Sequence, residues 1–278
     1  MKTYPIAALD LETTGIDADC RIVEYAVVSA KAVSEKGDYI VGRVNPQIPI
    51  STGASAAHNI RDEDVAQLKP LDKRMCDWMS EIINEHIVLI HNAWYDWPII
   101  EREFARVGAE VPRPIIVLDT LEFSKRLNMG KVEKHTLAYL YHHYKLPERP
   151  GFHGAEADCR STLEVFHAML RQCGESWAAQ FPNFEHDALD ALTSRIYSGS
   201  SHDTMPFGKW KGKPFTEIDV GYLRWGLDVA DFRDVWLKVS FAQELHRRFP
   251  GNAAIRNTLA VLTEQAQLYP FPTTIRRD

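Results

Sequence analysis

Ile6-Ala-Ala-Leu-Asp10-Leu-Glu12-Thr-Thr-Gly15 reads as a strand that runs out on two acids and a glycine turn. Alternate residues of a strand share a face, so Asp10 and Glu12 project together while Leu9 and Leu11 point the other way, into a core. Two carboxylates side by side repel each other, and hard oxygen ligands of this kind suit a Mg²⁺ or Mn²⁺ ion between them. An acidic strand end leading into a helix-capping turn is the competing reading, and the pair alone does not choose between the two.

Working outward, β-branched runs predict a second strand near 21–30 and a third at 39–44, punctuated by Gly37-Asp38 and Asn45-Pro46. From Ser51 the period becomes helical. Met75, Trp78, Met79, Ile82 and Ile83 fall on one face of a helix over 71–85. A short buried strand over 87–90, a helix over 96–107, a strand over 115–118 and helices near 120–127, 136–144 and 155–172 follow. Three adjacent strands and then alternating helices and strands imply an α/β domain, a mixed sheet flanked by helices, over residues 1–175. Residues 176–203 read as a helical bridge and linker, with Ser198-Gly-Ser-Ser201 of linker composition. A small C-terminal α+β module follows over 204–278. It opens on a hairpin-like stretch, Thr204-Met-Pro-Phe-Gly-Lys-Trp-Lys-Gly-Lys-Pro-Phe215, and continues into helices at Tyr222-Leu-Arg-Trp225 and over 235–249.

The chain has 278 residues, 45% hydrophobic and 25% charged, which argues against disorder. No apolar run approaches the ~20 residues of a membrane helix. The first residues show no small-residue cleavage site after an apolar run, so a cytoplasmic protein is expected. Cys20, Cys76, Cys159 and Cys173 form no Cys-x-x-Cys pair, against both a zinc ribbon and a disulfide framework. The net charge of −6, from 32 basic and 38 acidic residues, argues against a protein that coats nucleic acid through a broad basic face. Residues 1–200 carry 21 basic and 29 acidic side chains, whereas 201–278 carry 11 and 9, so the two parts differ in character.

Two further acids join the first pair. His91-Asn-Ala-Trp-Tyr-Asp96 follows the short buried strand, and Asp96 stands at a strand-to-helix junction, either as a site residue or as the helix N-cap. His153-Gly-Ala-Glu-Ala-Asp158 follows a Pro-Gly loop and enters a helix, where backbone N–H groups tolerate a carboxylate. A lone loop histidine is usually a solvated surface residue, but His153 comes five residues before an acid and after three earlier ones.

Asp10-x-Glu12, His91-Asn-Ala-x-x-Asp96 and His153-x4-Asp158 resemble, in order, the three motifs of the DEDDh branch of the DnaQ-like 3′–5′ exonucleases. Arg21-Ile-Val-Glu24, Ala54-x-x-Ala57-His-Asn-Ile60, Leu118-Asp-Thr-Leu121 and Thr136-Leu-Ala-x-Leu140 fall in family order, and the likeness covers about residues 5–172. The sequence departs from the family at Tyr95, where phenylalanine is common, which reads as a packing change. The resemblance implies a ribonuclease H-like fold and a two-metal mechanism. Asp10, Glu12, Asp96 and Asp158 would hold two Mg²⁺ ions, with Mn²⁺ as substitute, and His153 would act as general base. It further implies that Thr13, Thr14 and Gly15 hold the terminal 3′ nucleotide. Ile16 is a candidate wedge against the last base or a residue capping the core, and Asn92 a substrate contact or a loop tie. Glu24 and Asp119 read as capping or supporting groups.

The C-terminal stretch is similar to a small module of some bacterial proteins and to the end of exodeoxyribonuclease X-type enzymes, which implies a bacterial or phage source. Lys209, Lys211 and Lys213 among Phe207, Trp210 and Phe215 would grip single-stranded nucleic acid, or the aromatics fill a small core while the lysines keep the module soluble. The expected activity is release of nucleoside 5′-monophosphates from DNA 3′ ends, single-stranded or duplex, in repair or turnover. Trimming of RNA 3′ ends and a catalytically dead module that binds nucleic acid or protein are the other readings.

Overall fold

The computed structural model describes residues 2–31, 37–128, 131–147, 154–197, 205, 208–228 and 235–267. These residues fall into two compact units. The first runs to Leu127 and again from Lys134 to Leu192; the second takes Asn128–Glu133 and the chain from Thr193.

The first unit is built on strands β1 (Thr3–Thr13), β2 (Ile22–Ser29), β3 (Tyr39–Arg43), β4 (Ile87–Ile90), β5 (Ile116–Asp119) and β6 (Asn183–Glu185). The order is β3-β2-β1-β4-β5, with β6 pairing the first residues of β1. β3, β2 and β1 are antiparallel neighbours, whereas β1, β4 and β5 run parallel, so the sheet is mixed. β2, β4 and β5 are buried along their whole length, as strands covered on both faces must be. The helices in this part of the chain are α1 (Thr52–His58), α2 (Asp62–Val65), α3 (Lys73–Ile83), α4 (Ala93–Arg106), α5 (Thr120–Leu127), α6 (Leu137–His143), α7 (Ala155–Cys173), α8 (Glu175–Ala178) and α9 (His186–Tyr197), whose last residues pass into the second unit. α7 lies against β1, β2 and β4, α3 against β2 and β3, and α4 against β5. This is the ribonuclease H-like arrangement, a mixed sheet flanked by helices.

Because β1, β4 and β5 are parallel, their C-terminal ends line one edge of the sheet. The register pairs Ala8 with Leu89 and Leu89 with Leu118, so Asp10 and His91 each lie two residues past the same rung. The β1–β2 register shifts between Glu12 and Thr13, a bulge that ends regular pairing where the acids end.

One boundary differs from the periodicity reading. α4 starts at Ala93, and Asn92 precedes it in the left-handed region (φ 79°), so Asp96 sits inside the first turn and is not the N-cap. The cap comes from another strand: the carboxylate of Asp119, at the end of β5, accepts from the backbone N–H of Asn92 and of Ala93. The Asp119 carboxylate also accepts from Leu121 and Glu122, so it closes the starts of α4 and α5 together.

The second unit has α10 (Val220–Asp228), α11 (Val235–Arg248) and α12 (Ala253–Gln267), preceded by 3₁₀ turns at Gly208–Trp210 and Phe215–Glu217. Met205, Phe215, Ile218, Leu223, Leu237, Phe241 and Leu245 form its core, with Trp210 and Tyr222 against it. The expected hairpin is a tight loop closed by Met205 N–H to Lys213 O and Gly212 N–H to Met205 O, both 2.8 Å. Its positive φ at Gly208 (68°) and Gly212 (78°) explains both glycines. Phe215 is buried and offers no face to a base. Phe207 and the Ser198–Ser201 stretch lie outside the described residues.

Two helical glycines give opposite expectations. A Cβ at Gly226 would stand 2.5 Å from the ring of the fully buried Phe241, whereas one at Gly53 meets nothing within 4 Å. Urea unfolding should show Gly226→Ala destabilised by about 1–3 kcal/mol through overpacking. Gly53→Ala should gain a few tenths of a kcal/mol to about 1 kcal/mol.

Candidate active site

Asp10 and Glu12 come to the sheet edge on one face of β1, and Asp158 meets them from the first turn of α7. One carboxylate oxygen from each lies within 4.8 Å of the others, and all three residues are half-buried. α7 is aimed by Glu24, which stands directly opposite Glu12 on β2. Two glutamates facing each other across a ladder repel. Glu24 is turned away by its partners: Oε2 accepts from the Ala155 N–H at 2.8 Å, at the start of α7, and Oε1 accepts from Arg43 Nε at 2.6 Å. Glu24 therefore fixes the entry of the helix that carries Asp158.

Asp96 is 4% exposed and accepts from the Leu11 backbone, between Asp10 and Glu12 on the strand. It falls outside the mutual spacing of the triplet, yet its charge reaches Asp10. Burial, then Asp96, Asp158, Glu12 and Glu24, holds the Asp10 carboxyl well above the usual range. Burial, Asp158 and Glu24 push Glu12 up to about 7. Burial, Asp119 and Glu12 raise Asp96 well above its ordinary value. The leading influences on Asp10 and Glu12 all favour the proton, which is the state of a carboxylate set lacking a counter-charge. An all-oxygen donor group of this kind fits a hard divalent cation.

The turn after the acids is anchored carbonyl by carbonyl. Thr13 O accepts from His58 Nε2 at 3.1 Å, Thr14 O from the Ser51 N–H at 2.8 Å, and Gly15 O from the Tyr95 hydroxyl at 2.7 Å. His58 Nδ1 accepts from the Ile60 N–H, which leaves the ring hydrogen on Nε2. The hydroxyls of Thr13 and Thr14 are engaged within the turn: Thr13 Oγ1 with Gly15 O and Tyr95, Thr14 Oγ1 with the Arg21 N–H. Both threonines are buried, so a nucleotide would meet the outer face of Gly15 and Ile16 rather than these hydroxyls. Ile16 is 89% exposed and is no part of the core. Asn92 is exposed, and its backbone is held by Asp119.

His153 lies outside the described residues; the described chain resumes at Gly154, the N-cap of α7. His91 and His135 are built into the frame. Burial lowers His91 to about 4, and its ring bonds Thr120 Oγ1 and His135 O. Asp119, raised to about 7 chiefly by burial, is a helix cap. Tyr95 is the residue whose role the sequence reading missed. Its hydroxyl, raised to about 12 mainly by burial, makes polar ties to the Thr13–Gly15 turn beyond packing. The signal was the hydroxyl itself, one residue before Asp96. A cleft of about 560 Å³ beside the start of α7 is bordered by Glu24, Arg43, Gly154 and Arg160.

The chain is 30% identical over 177 residues to the PolC-type DNA polymerase III of Caldanaerobacter subterraneus subsp. tengcongensis, covering 60% of this chain and 12% of the polymerase. It is 25% identical over 189 residues to human three prime repair exonuclease 2, covering 57% of this chain and 80% of that protein. Among solved structures, exonuclease X in complex with 5′ overhanging duplex DNA superimposes with a TM-score of 0.49 at 25% identity, over 64% of this chain and 97% of that one. The RNase_T exonuclease family matches residues 7–166, from the first acidic strand into α7 and through Asp10, Glu12, Asp96 and Asp158, and the chain belongs to that DnaQ-like exonuclease family.

Proposed function

We propose that the protein is a metal-dependent 3′–5′ exodeoxyribonuclease of the DEDDh type that releases nucleoside 5′-monophosphates in DNA repair or turnover. The observation that carries this reading is the triplet Asp10, Glu12 and Asp158, with oxygens within 4.8 Å, in a chain of an exonuclease family. Asp10, Glu12 and Asp158, joined by Asp96, would hold two Mg²⁺ ions, or Mn²⁺ in their place. Such ions supply Lewis acidity at the phosphate and lower the pKa of water.

The remaining work falls to the chain. His153, ahead of the N-cap of α7, takes the proton of the attacking water as general base. The Gly15–Ile16 face receives the terminal base, and Asn92 contacts the same nucleotide. Arg43 and Arg160, paired with Glu24 and Glu156, border the cleft beside α7 and face the backbone of the strand. DNA is favoured over RNA because the polymerase relative is a DNA enzyme by name; this chain spans only 12% of that polymerase. A binding module on a dead nuclease is disfavoured, since the four acids and His153 are all present.

Labelled DNA and RNA oligonucleotides with Mg²⁺, Mn²⁺ or chelator decide the reading. The expected result is mononucleotide release from DNA 3′ ends with either metal and none with chelator. Asp10→Ala should lose about 10³-fold or more in rate, the several kcal/mol that metal-stabilised charge contributes. Unchanged activity in that variant would end the mechanism, and equal attack on RNA would widen the substrate.

The acids also make stability depend on pH. With no cation bound, Glu12 has an ordinary value of 4.5 and a folded value of about 7. A carboxyl raised on folding lends stability that is full below its unfolded pKa and disappears as pH climbs through the folded one. In chelator the melting temperature should therefore fall between pH 5 and pH 7.5. Mn²⁺ should restore it at the upper end, and Glu12→Gln should flatten the fall. A flat wild-type profile would contradict the assigned charge state.

A further inference from the structure

The turn that follows the acids is tied to two separate helices and carries an exposed apolar side chain at its outer end. Three successive carbonyls accept from three separate partners, His58 and Ser51 at the two ends of α1 and Tyr95 on α4. The next side chain, Ile16, is 89% exposed, and an exposed branched apolar residue does nothing for the core. An anchored backbone carrying an unburied apolar side chain suits a residue that must push on something outside the protein.

We propose that Tyr95 is a positioning residue whose hydroxyl locks the Thr13–Gly15 turn, so that Ile16 stands as a fixed apolar edge against the terminal base. The lock thereby sets how well the enzyme works on a paired rather than an unpaired 3′ end. This deepens the exonuclease reading and rests on it. Wedging an apolar side chain against a stacked base requires the pair to yield before the protein does. A loosely held turn would give way instead.

Counting hydrogens shows why the hydroxyl matters. Thr13 Oγ1, Tyr95 Oη and Gly15 O are in mutual contact, with the Cys20 side chain also bonded to Tyr95, and of the first three only the two hydroxyls bring hydrogens. Gly15 O can only accept. When Tyr95 donates to Gly15, Thr13 is free to donate to Tyr95; when Thr13 donates to Gly15, Tyr95 is free to donate to Thr13. A phenylalanine would keep the ring packing but leave Gly15 O with a donor from Thr13 alone, which belongs to the turn and moves with it. The polar tie from the turn to α4 thus runs through one oxygen. Asp96 is the next residue on the same helix, so the tie references Ile16 to an acid of the site.

The test uses the full chain as wild type, Tyr95→Phe, Ile16→Ala and the double variant. Each is given duplex DNA with a paired blunt 3′ end and the same duplex with its last three 3′ nucleotides unpaired. Tyr95→Phe should raise the frayed-to-paired rate ratio about tenfold, the size of one lost hydrogen bond. In the Ile16→Ala background it should add nothing further. Hydrogen exchange should show the Thr14 and Ser51 amides, which close the turn, opening faster in Tyr95→Phe while the β1 amides before Asp10 keep their protection. Equal slowing on both ends, additivity with Ile16→Ala, or unchanged exchange at Thr14 and Ser51 would each overturn the proposal. If the wild type releases nucleotides from neither end, the exonuclease reading fails, and the exchange result alone judges the lock.

Discussion

Repulsion among carboxylates held out of water organises this molecule. Asp10 and Glu12 share a face of a strand whose neighbours are buried, with Asp96 and Asp158 brought alongside and Glu24 opposite. Charges of one sign in a poorly solvated place destabilise one another, and a protein keeps them only by protonation, by pairing or with a cation. The surrounding polar contacts divide the acids into two kinds. Glu24 and Asp119 are committed to helix starts, Glu24 also to a guanidinium, whereas Asp10, Glu12 and Asp158 bring carboxylate oxygens within 4.8 Å of one another. That sorting separates the supporting carboxylates from the proposed metal ligands.

The same sorting shows what could be read from the chain alone. Strand period placed Asp10 and Glu12 on one face, because it depends only on near neighbours. Helical spacing found Met79 and Ile83 in the buried stripe of α3 but put the exposed Trp78 there too and passed over Cys76. Glu24 and Asp119 were legible as capping groups through their place in the motif order. What stayed hidden depends on partners distant in sequence. The start of α4 was misjudged because its cap, Asp119, lies 26 residues beyond Ala93. Tyr95 looked like packing because its acceptor, Gly15, is 80 residues away. The aromatics of the second unit have a spacing that serves a core or a grip equally, and only burial of Phe215 separates the two.

Ile16 and the two threonines before it illustrate how one turn divides its labour. The threonine side chains face inward and saturate the turn's own polar groups, so the outward surface is left almost entirely to glycine and isoleucine. A turn that met substrate through threonine hydroxyls would have to exchange internal bonds for external ones each cycle. Here the internal bonds can stay in place.

Glu24 and Ala155 meet across 131 residues of intervening chain, and that contact aims Asp158 at the strand. On a ribosome, a nascent chain that has emerged only as far as β5 has its first carboxylate pair but no α7 to complete the triplet. The triplet therefore comes together late in synthesis, after β1 through β5. A translation product ending before α7 would lack both Asp158 and the helix that covers β1, β2 and β4.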